Sequence, residues 1–283
     1  MSIHPRHVTF SGTEGNKLEG DIYGHGERVV LLLHGGGQTR HAWRATARKL
    51  AERGFTAIPV DQRGHGDSAW VDSGAYAFTD FGMDAALLGR EIEQRFAAKP
   101  AVVGASLGGI ASLVALGQAN CFSALVLVDI VPRPEAHGVS QVQNFMRANA
   151  EAGFASLEEA AESVARYLPH RARPPSADGL RKNLRQRADG RWYWHWDPRF
   201  LDGVNDAHTG DHMLSRLEEV VRSLTLPTLL VRGGSSEIVS LESVEAFRNL
   251  MPHAKFVDIK GANHMVAGDK NDIFGEAVLD FLQ

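Results

Sequence analysis

Short apolar runs alternate with longer amphipathic stretches along the first half of the chain. Residues 29–33 are continuously apolar, which predicts a strand buried on both faces of a sheet. A helical pattern follows at 43–53 and ends at Gly54, a residue type that commonly terminates helices. The same alternation predicts further strands at 17–23, 56–60, 101–103 and 124–128, and further helices at 81–96 and 107–116.

The alternation stops at residue 132 and resumes near residue 224. In between, no segment has the pattern of a strand, and three helices are predicted, at 139–151, 157–167 and 177–187. After the interruption come strands at 228–231 and 255–259 and helices at 241–250 and 273–282. Strands separated by helices pair in parallel through right-handed crossovers, so the pattern predicts an α/β fold with a helical insertion.

Composition and charge narrow the class of protein. The 283 residues are 43% hydrophobic and 23% charged, which is typical of a globular chain. The net charge of −4 favours neither nucleic acid nor an anionic membrane as a partner. The single cysteine, Cys121, excludes an intramolecular disulfide and a cysteine metal cluster. No apolar run reaches the about 18 residues that span a bilayer, and residues 1–8 lack the apolar core of a secretory signal, so we expect a cytoplasmic protein.

One motif carries chemistry directly. Gly104-Ala105-Ser106-Leu107-Gly108 matches the nucleophile-elbow pattern G-x-S-x-G, and it lies between a predicted strand and a predicted helix, as that motif requires. The small flanking residues allow the strand and the helix to approach each other at a tight, strained turn. Ser106 is therefore the predicted nucleophile.

A serine hydroxyl needs a base, and the base needs an acid that orients it. Of the 13 histidines, His264 lies in a loop between the last predicted strand and the last helix, at the carboxyl edge of the sheet where ligands bind in open α/β folds. Glu237 is the only acid in the loop after the strand at 228–231, which makes it the first candidate for the third member. Asp129, at the end of the strand before the insertion, is the alternative.

A glycine-rich loop follows the strand at 29–33. Its glycines allow the backbone to approach a substrate and to present amides, so Gly36, with Gly37 second, is expected to stabilise an oxyanion together with the amide of Leu107. His34, the first residue of this loop, is interpreted as a brace for the loop rather than as a catalytic group.

Together these motifs resemble the α/β-hydrolase superfamily, in the branch of small bacterial esterases, C–C bond hydrolases and haloperoxidase-like perhydrolases. The resemblance rests on the loop at 34–37, the segment Asp61-Gln62-Arg63-Gly64-His65-Gly66-Asp67-Ser68, the Ser106 elbow and the loops of Glu237 and His264. It implies an α/β-hydrolase core over 1–131 and 224–283, a helical cap over 132–223, and a structural role for residues 61–68. The glutamate departs from the aspartate that is more usual in this family.

A serine nucleophile implies acyl transfer, whereas relatives with an aspartate nucleophile form alkyl esters. The expected activity is hydrolysis of a carboxylic ester, lactone or thioester through an acyl-enzyme. The alternatives are C–C bond hydrolysis, perhydrolysis and ligand binding without turnover. Trp194, Trp196 and Gly37 are the candidate substrate-binding residues. We expect a small-molecule substrate, no cofactor and no metal, with a homo-oligomer as an open alternative.

Overall fold

The computed structural model describes residues 4–167, 176–204, 210–262, 264 and 271–283. The strands are β1 (Arg6–Ser11), β2 (Lys17–Ile22), β3 (Arg28–Leu33), β4 (Phe55–Val60), β5 (Ala101–Ala105), β6 (Leu125–Val128), β7 (Leu184–Gln186), β8 (Trp192–Trp194), β9 (Thr228–Gly233) and β10 (Lys255–Ile259). The helices are α1 (Arg44–Glu52), α2 (Phe78–Phe96), α3 (Leu107–Gln118), α4 (Ala136–Arg147), α5 (Leu157–Tyr167), α6 (Phe200–Gly203), α7 (Asp211–Ser223), α8 (Leu241–Leu250) and α9 (Asn271–Leu282). Short 3₁₀ turns lie at Arg40–Trp43 and Ala177–Lys182.

Eight strands form one sheet in the order β1-β2-β4-β3-β5-β6-β9-β10. Strands β1 and β2 are antiparallel to each other, β2 is antiparallel to β4, and every later pair in the order is parallel. The predicted α/β-hydrolase fold, with a mostly parallel sheet flanked by helices, is thereby confirmed. None of the helices in the described ranges is both long and apolar enough to cross a membrane.

Side chains alternate between two apolar layers, one on each face of the sheet. Val30 and Leu32 of β3 pack with Trp43 and with Phe274 of α9, whereas Leu31 and its alternate neighbours pack on the opposite face. Burial on both faces explains why the central strands are continuous apolar runs in the sequence.

The strand register brings four carboxyl ends together. Leu33 of β3 lies beside Gly104 of β5, and Val128 of β6 lies between Ala105 and Val231 of β9. The loops that follow these strands therefore leave the sheet along one edge, and this edge carries the candidate site.

The insertion differs from its prediction. The helix expected at 177–187 is wrong: a 3₁₀ turn covers Ala177–Lys182, and β7 then pairs with β8 in an antiparallel hairpin. The turn of the hairpin places Gly190 at a φ of 80°, and the amide of Gly190 donates to the carbonyl of Arg187 over 2.9 Å. Three consecutive aromatic residues form β8, so this strand has no alternation of apolar and polar positions to reveal it.

Three further elements, β1, α6 and α7, were not expected from the sequence. Strand β1 lies at the edge of the sheet and has only Phe10 fully buried, which leaves little apolar pattern. Helix α7 falls within the predicted cap but packs on helix α3 of the core. A Cβ atom on Gly117 of α3 would lie 2.7 Å from Cγ2 of Val220. The end of the insertion thus contacts the core directly.

Candidate active site

Ser106 occupies a strained turn between β5 and α3. Its backbone angles are φ 46° and ψ −112°, a conformation that non-glycine residues rarely adopt. The flanking glycines are required by space: a Cβ on Gly104 would lie 2.4 Å from the carbonyl oxygen of Gly108, and one on Gly108 would lie 2.4 Å from that of Leu33. The Ser106 side chain lines a cavity at the carboxyl edge of the sheet.

The two residues predicted to donate to the oxyanion, Gly36 and Leu107, line the same cavity as Ser106. Leu107 is the first residue of α3, and amides of the first helical turn have no acceptor within the helix. In the glycine loop, the amide of Gly35 donates to Oε1 of Gln38 over 3.0 Å, and the amide of Gly37 donates to Nε2 of His65 over 3.1 Å. The amide of Gly36 has no such acceptor among the described residues, which favours Gly36 over Gly37 as the second oxyanion donor.

His264 and an aspartate form a pair beside the elbow. Nδ1 of His264 lies 2.8 Å from Oδ2 of Asp129, and His264 lines the same cavity as Ser106. The structure does not pair the first candidate for the acid, Glu237, with this histidine: the Glu237 side chain is exposed, and the imidazole is paired with the alternative, Asp129.

The reason lies in how the loop after β9 runs. Its Ser236, and not Glu237, turns toward the end of β6, where the Ser236 hydroxyl donates to Oδ2 of Asp129 over 2.5 Å. The amide of Gly233 donates to Oδ1 of the same carboxylate over 2.9 Å. Asp129 is fully buried, and its φ of 49° shows that the backbone of the turn after β6 is strained at this residue. The sequence offered no signal for Ser236.

His34 acts as the predicted brace of the glycine loop. Its Nε2 accepts a hydrogen bond from the amide of Gln62 over 3.0 Å, so its proton is on Nδ1, which donates to the carbonyl of Gly35 over 2.8 Å. Burial lowers the pKa of His34 to about 4 and keeps the ring neutral. The carbonyl of Gly35 and the amide of Gly36 belong to one peptide, so His34 also sets the direction of the Gly36 amide.

Residues 61–68 make contacts within the core and with the insertion. The guanidinium of Arg63 is buried and pairs with Asp84 over 2.7 Å, and the hydroxyl of Ser68 donates to the carbonyl of Asp61 over 2.5 Å. From the cap, the amide of Asp197 donates to the carbonyl of Gly64 over 2.9 Å. These contacts are those of a structural segment on which the insertion packs.

The cavity above Ser106 has a volume of about 970 Å³ and is lined by residues of both the core and the insertion. All three predicted substrate-binding residues, Gly37, Trp194 and Trp196, line it. Trp194 also packs edge-on against Phe154, with ring centroids 5.2 Å apart, so this tryptophan serves the packing of the cap as well. Most of the remaining lining is aliphatic or aromatic.

Comparison with known proteins places the chain in a family. The family model described as alpha/beta hydrolase fold matches residues 28–270. The match runs from β3 to the residue before α9 and includes the insertion. The chain therefore belongs to the α/β-hydrolase fold family.

Relatives include proteins named for hydrolytic activity. Esterase Rv0045c of Mycobacterium tuberculosis is 29% identical over 247 residues, which cover 85% of this chain and 78% of the relative. A 2-(acetamidomethylene)succinate hydrolase of Mesorhizobium japonicum is 29% identical over 258 residues, covering 90% and 87%. A solved structure of E-2-(acetamidomethylene)succinate hydrolase superposes with a TM-score of 0.82 at 25% identity and covers 99% of both chains. Hydrolase activity is supported by these relatives.

Proposed function

We propose that this member of the α/β-hydrolase fold family cleaves a carboxylic ester or thioester through an acyl-enzyme on Ser106. The observation that carries the proposal is the 2.8 Å contact between His264 and the buried carboxylate of Asp129, at the rim of the cavity that Ser106 lines. The name of the mycobacterial esterase, whose sequence the chain resembles over most of its length, supports the same chemistry.

Each group has a role that follows from its position. The hydroxyl of Ser106 attacks the carbonyl carbon while Nε2 of His264 takes the hydroxyl proton, and His264 then gives this proton to the leaving oxygen or sulfur. Asp129 holds Nδ1–H of His264 and stabilises the imidazolium. The amides of Gly36 and Leu107 bind the oxyanion, and removing one such donor typically costs about 10²–10³ in turnover. A water activated by the same histidine releases the acid.

The acyl group that best fits the cavity is large and apolar. Val139, Val142 and Met146 present one face of α4, at the spacing of successive helical turns, and α7 contributes Leu214 and Leu217. Each methylene moved from water onto such a surface contributes about 0.8 kcal/mol, or up to about fourfold in kcat/KM. We therefore assign residues 132–223 as a cap that selects the acyl group.

A chain-length series tests the proposal. With p-nitrophenyl acetate, butyrate and octanoate, we expect kcat/KM to rise with acyl length, and Ser106→Ala to abolish turnover of all three. Val142→Trp should lower kcat/KM with the octanoate ester and leave kcat/KM with the acetate ester unchanged. Asn144→Trp, on the exposed side of the same helix, is the matched control and should change neither.

Two results would refute the proposal. Turnover that is unchanged in Ser106→Ala would show that the reaction does not pass through an acyl-enzyme on Ser106. A flat or falling chain-length series would also refute it if another reaction were faster. That reaction could be cleavage of 2-(acetamidomethylene)succinate, cleavage of a vinylogous diketone, or formation of a peracid and water from hydrogen peroxide and a carboxylic acid, and the assignment would move to it.

A further inference from the structure

The peptides on both sides of Gly37 are held by two buried histidines from different parts of the fold. His65, in the segment 61–68, accepts the Gly37 amide on its Nε2 over 3.1 Å. His195, which follows β8 in the cap, has its Nε2 3.2 Å from the Gly37 carbonyl oxygen. Gly37 has a φ of 74°, so this turn of the loop adopts a conformation that favours glycine.

The other nitrogen of each ring fixes where its proton lies. Nδ1 of His195 accepts the amide of Gly66 over 2.6 Å, so the proton is on Nε2, which donates to Gly37. Nδ1 of His65 lies 2.9 Å from the carbonyl of Arg63 and donates to it, which leaves Nε2 free to accept. If either ring carried a second proton, a ring N–H would point at a backbone N–H, so two donors would face each other without an acceptor.

Both rings are kept neutral by their surroundings. Burial lowers the pKa of His65 to about 3 and that of His195 well below its usual range. The charged and titratable groups around the two rings are His34, Asp61, Arg185 and Asp197, besides each other. The two hydrogen bonds to Gly37 therefore persist throughout the neutral pH range.

We propose that His195 is a positioning residue through which the docked cap holds the oxyanion loop in its competent shape. His34 binds the Gly35 carbonyl, His65 binds the Gly37 amide and His195 binds the Gly37 carbonyl, so three consecutive peptides of the loop each contact one imidazole. Of these three histidines, only His195 lies in the cap. When the cap segment leaves Gly37, the carbonyl of Gly37 loses its donor and the loop loses one of its three restraints.

The cap segment around His195 is anchored on the same side of the site. The carboxylate of Asp197 accepts the Tyr76 hydroxyl over 2.8 Å, and Arg199 donates to the carbonyl of Val71 over 3.0 Å. These two anchors do not involve His195, so they remain when its side chain is replaced, although the bond from the Gly66 amide to Nδ1 is lost with the bond to Gly37.

The inference rests on the proposed function and is tested by His195→Phe and His195→Gln. Phenylalanine preserves the ring shape without hydrogen bonds, whereas the glutamine amide can still donate to Gly37. We expect His195→Phe to lower kcat about 10- to 100-fold with KM within threefold, because small misplacements of a catalytic donor cost up to about 10² in rate. Affinity for a trifluoromethyl ketone, which forms the oxyanion, should fall by the same factor, and affinity for the product carboxylate should not.

The glutamine variant should recover most of the lost kcat. Arg187→Ala, in the turn of the cap hairpin where Arg187 stacks over Tyr193, is the matched control and should keep both kcat and the ketone affinity. Equal loss of ketone and carboxylate affinity, or an unchanged kcat in His195→Phe, would overturn the inference. If Ser106→Ala retained turnover, the proposed function itself would fail, which is a separate outcome.

Discussion

Nδ1 of His264 lies 2.8 Å from Oδ2 of Asp129, the residue that follows β6 and lies 135 positions earlier in the chain. Strands β6 and β9 are neighbours, with Val128 beside Val231, so the loop after β9 reaches the carboxylate that follows β6. The structure uses the first loop for the carboxylate and the second for the Ser236 hydroxyl that supports it.

This arrangement predicts different effects for the two acids. Asp129→Asn keeps the size of the side chain but removes the charge that stabilises the His264 imidazolium, so kcat should fall by about 10³–10⁴. Glu237→Gln, at an exposed position, is the control and should stay within twofold of the wild type. Steady-state kinetics with p-nitrophenyl butyrate measures both, and the reverse order of effects would return the role of the acid to Glu237.

The support from Ser236 should be visible in kinetics. Ser236→Ala removes a hydrogen bond to the buried carboxylate of Asp129, and hydrogen bonds to charged groups contribute about 1.5–3 kcal/mol. We expect kcat to fall roughly tenfold or more while KM changes little. Ser235→Ala, one residue earlier and exposed, should have no effect. Equal kcat values for the two alanine variants would show that Asp129 needs no such support.

The elbow predicts a steric requirement that stability measurements can check. In Gly108→Ala the new methyl group would lie 2.4 Å from the carbonyl oxygen of Leu33, so the strand and helix must separate. Overpacking of this kind typically costs about 1–3 kcal/mol or more of unfolding free energy. Gly179→Ala, where the methyl group would meet nothing within 4 Å, should change stability by less than about 0.5 kcal/mol. Urea unfolding that gave equal midpoints for both variants would contradict the packing described.

The buried histidines predict a loss of stability in mild acid. The folded-state pKa is about 4 for His34 and about 3 for His65, both lowered by burial, and that of His195 is also well below its usual range. In the unfolded chain these rings titrate near about 6.5. Below that pH the unfolded chain binds protons that the folded chain does not, so unfolding free energy falls as pH drops from about 6.5 toward about 4.

Each such histidine contributes a slope of up to about 1.4 kcal/mol per pH unit. Urea unfolding at several pH values between neutrality and about pH 4.5 measures this slope. His195→Gln removes one titrating ring and should reduce the slope by the contribution of one histidine, up to about 1.4 kcal/mol per pH unit. A wild-type stability that stayed level over this range, or a variant with an unchanged slope, would contradict the burial of neutral rings.

The central strands and the nucleophile could be predicted from the sequence for physical reasons. Burial on both faces leaves continuous apolar runs such as the one in β3, and the elbow around Ser106 tolerates few residues beside the serine. The choice of acid could not be predicted, because Asp129 and Glu237 both follow strands whose carboxyl ends are adjacent, and only the path of the second loop separates them.

The cap was predicted less well than the core. Helix α5 has a strong apolar face and matches its prediction at both ends. The hairpin β7–β8 is too short for a period to show, and Trp192 at its start is held by a bridge to Phe154, a contact that no local pattern encodes. The role of His195 likewise depends on Gly66 and Gly37, which lie more than a hundred residues away.

The most direct test of the proposed chemistry is covalent labelling of the folded protein with a fluorophosphonate, read by intact mass and peptide mapping. The structure predicts one adduct per chain, on the peptide that contains Ser106, with none in Ser106→Ala and much slower labelling in Asp129→Asn than in Glu237→Gln. A folded wild-type protein that gains no adduct, or gains it on another serine, would contradict the assignment of Ser106, His264 and Asp129 as the catalytic residues.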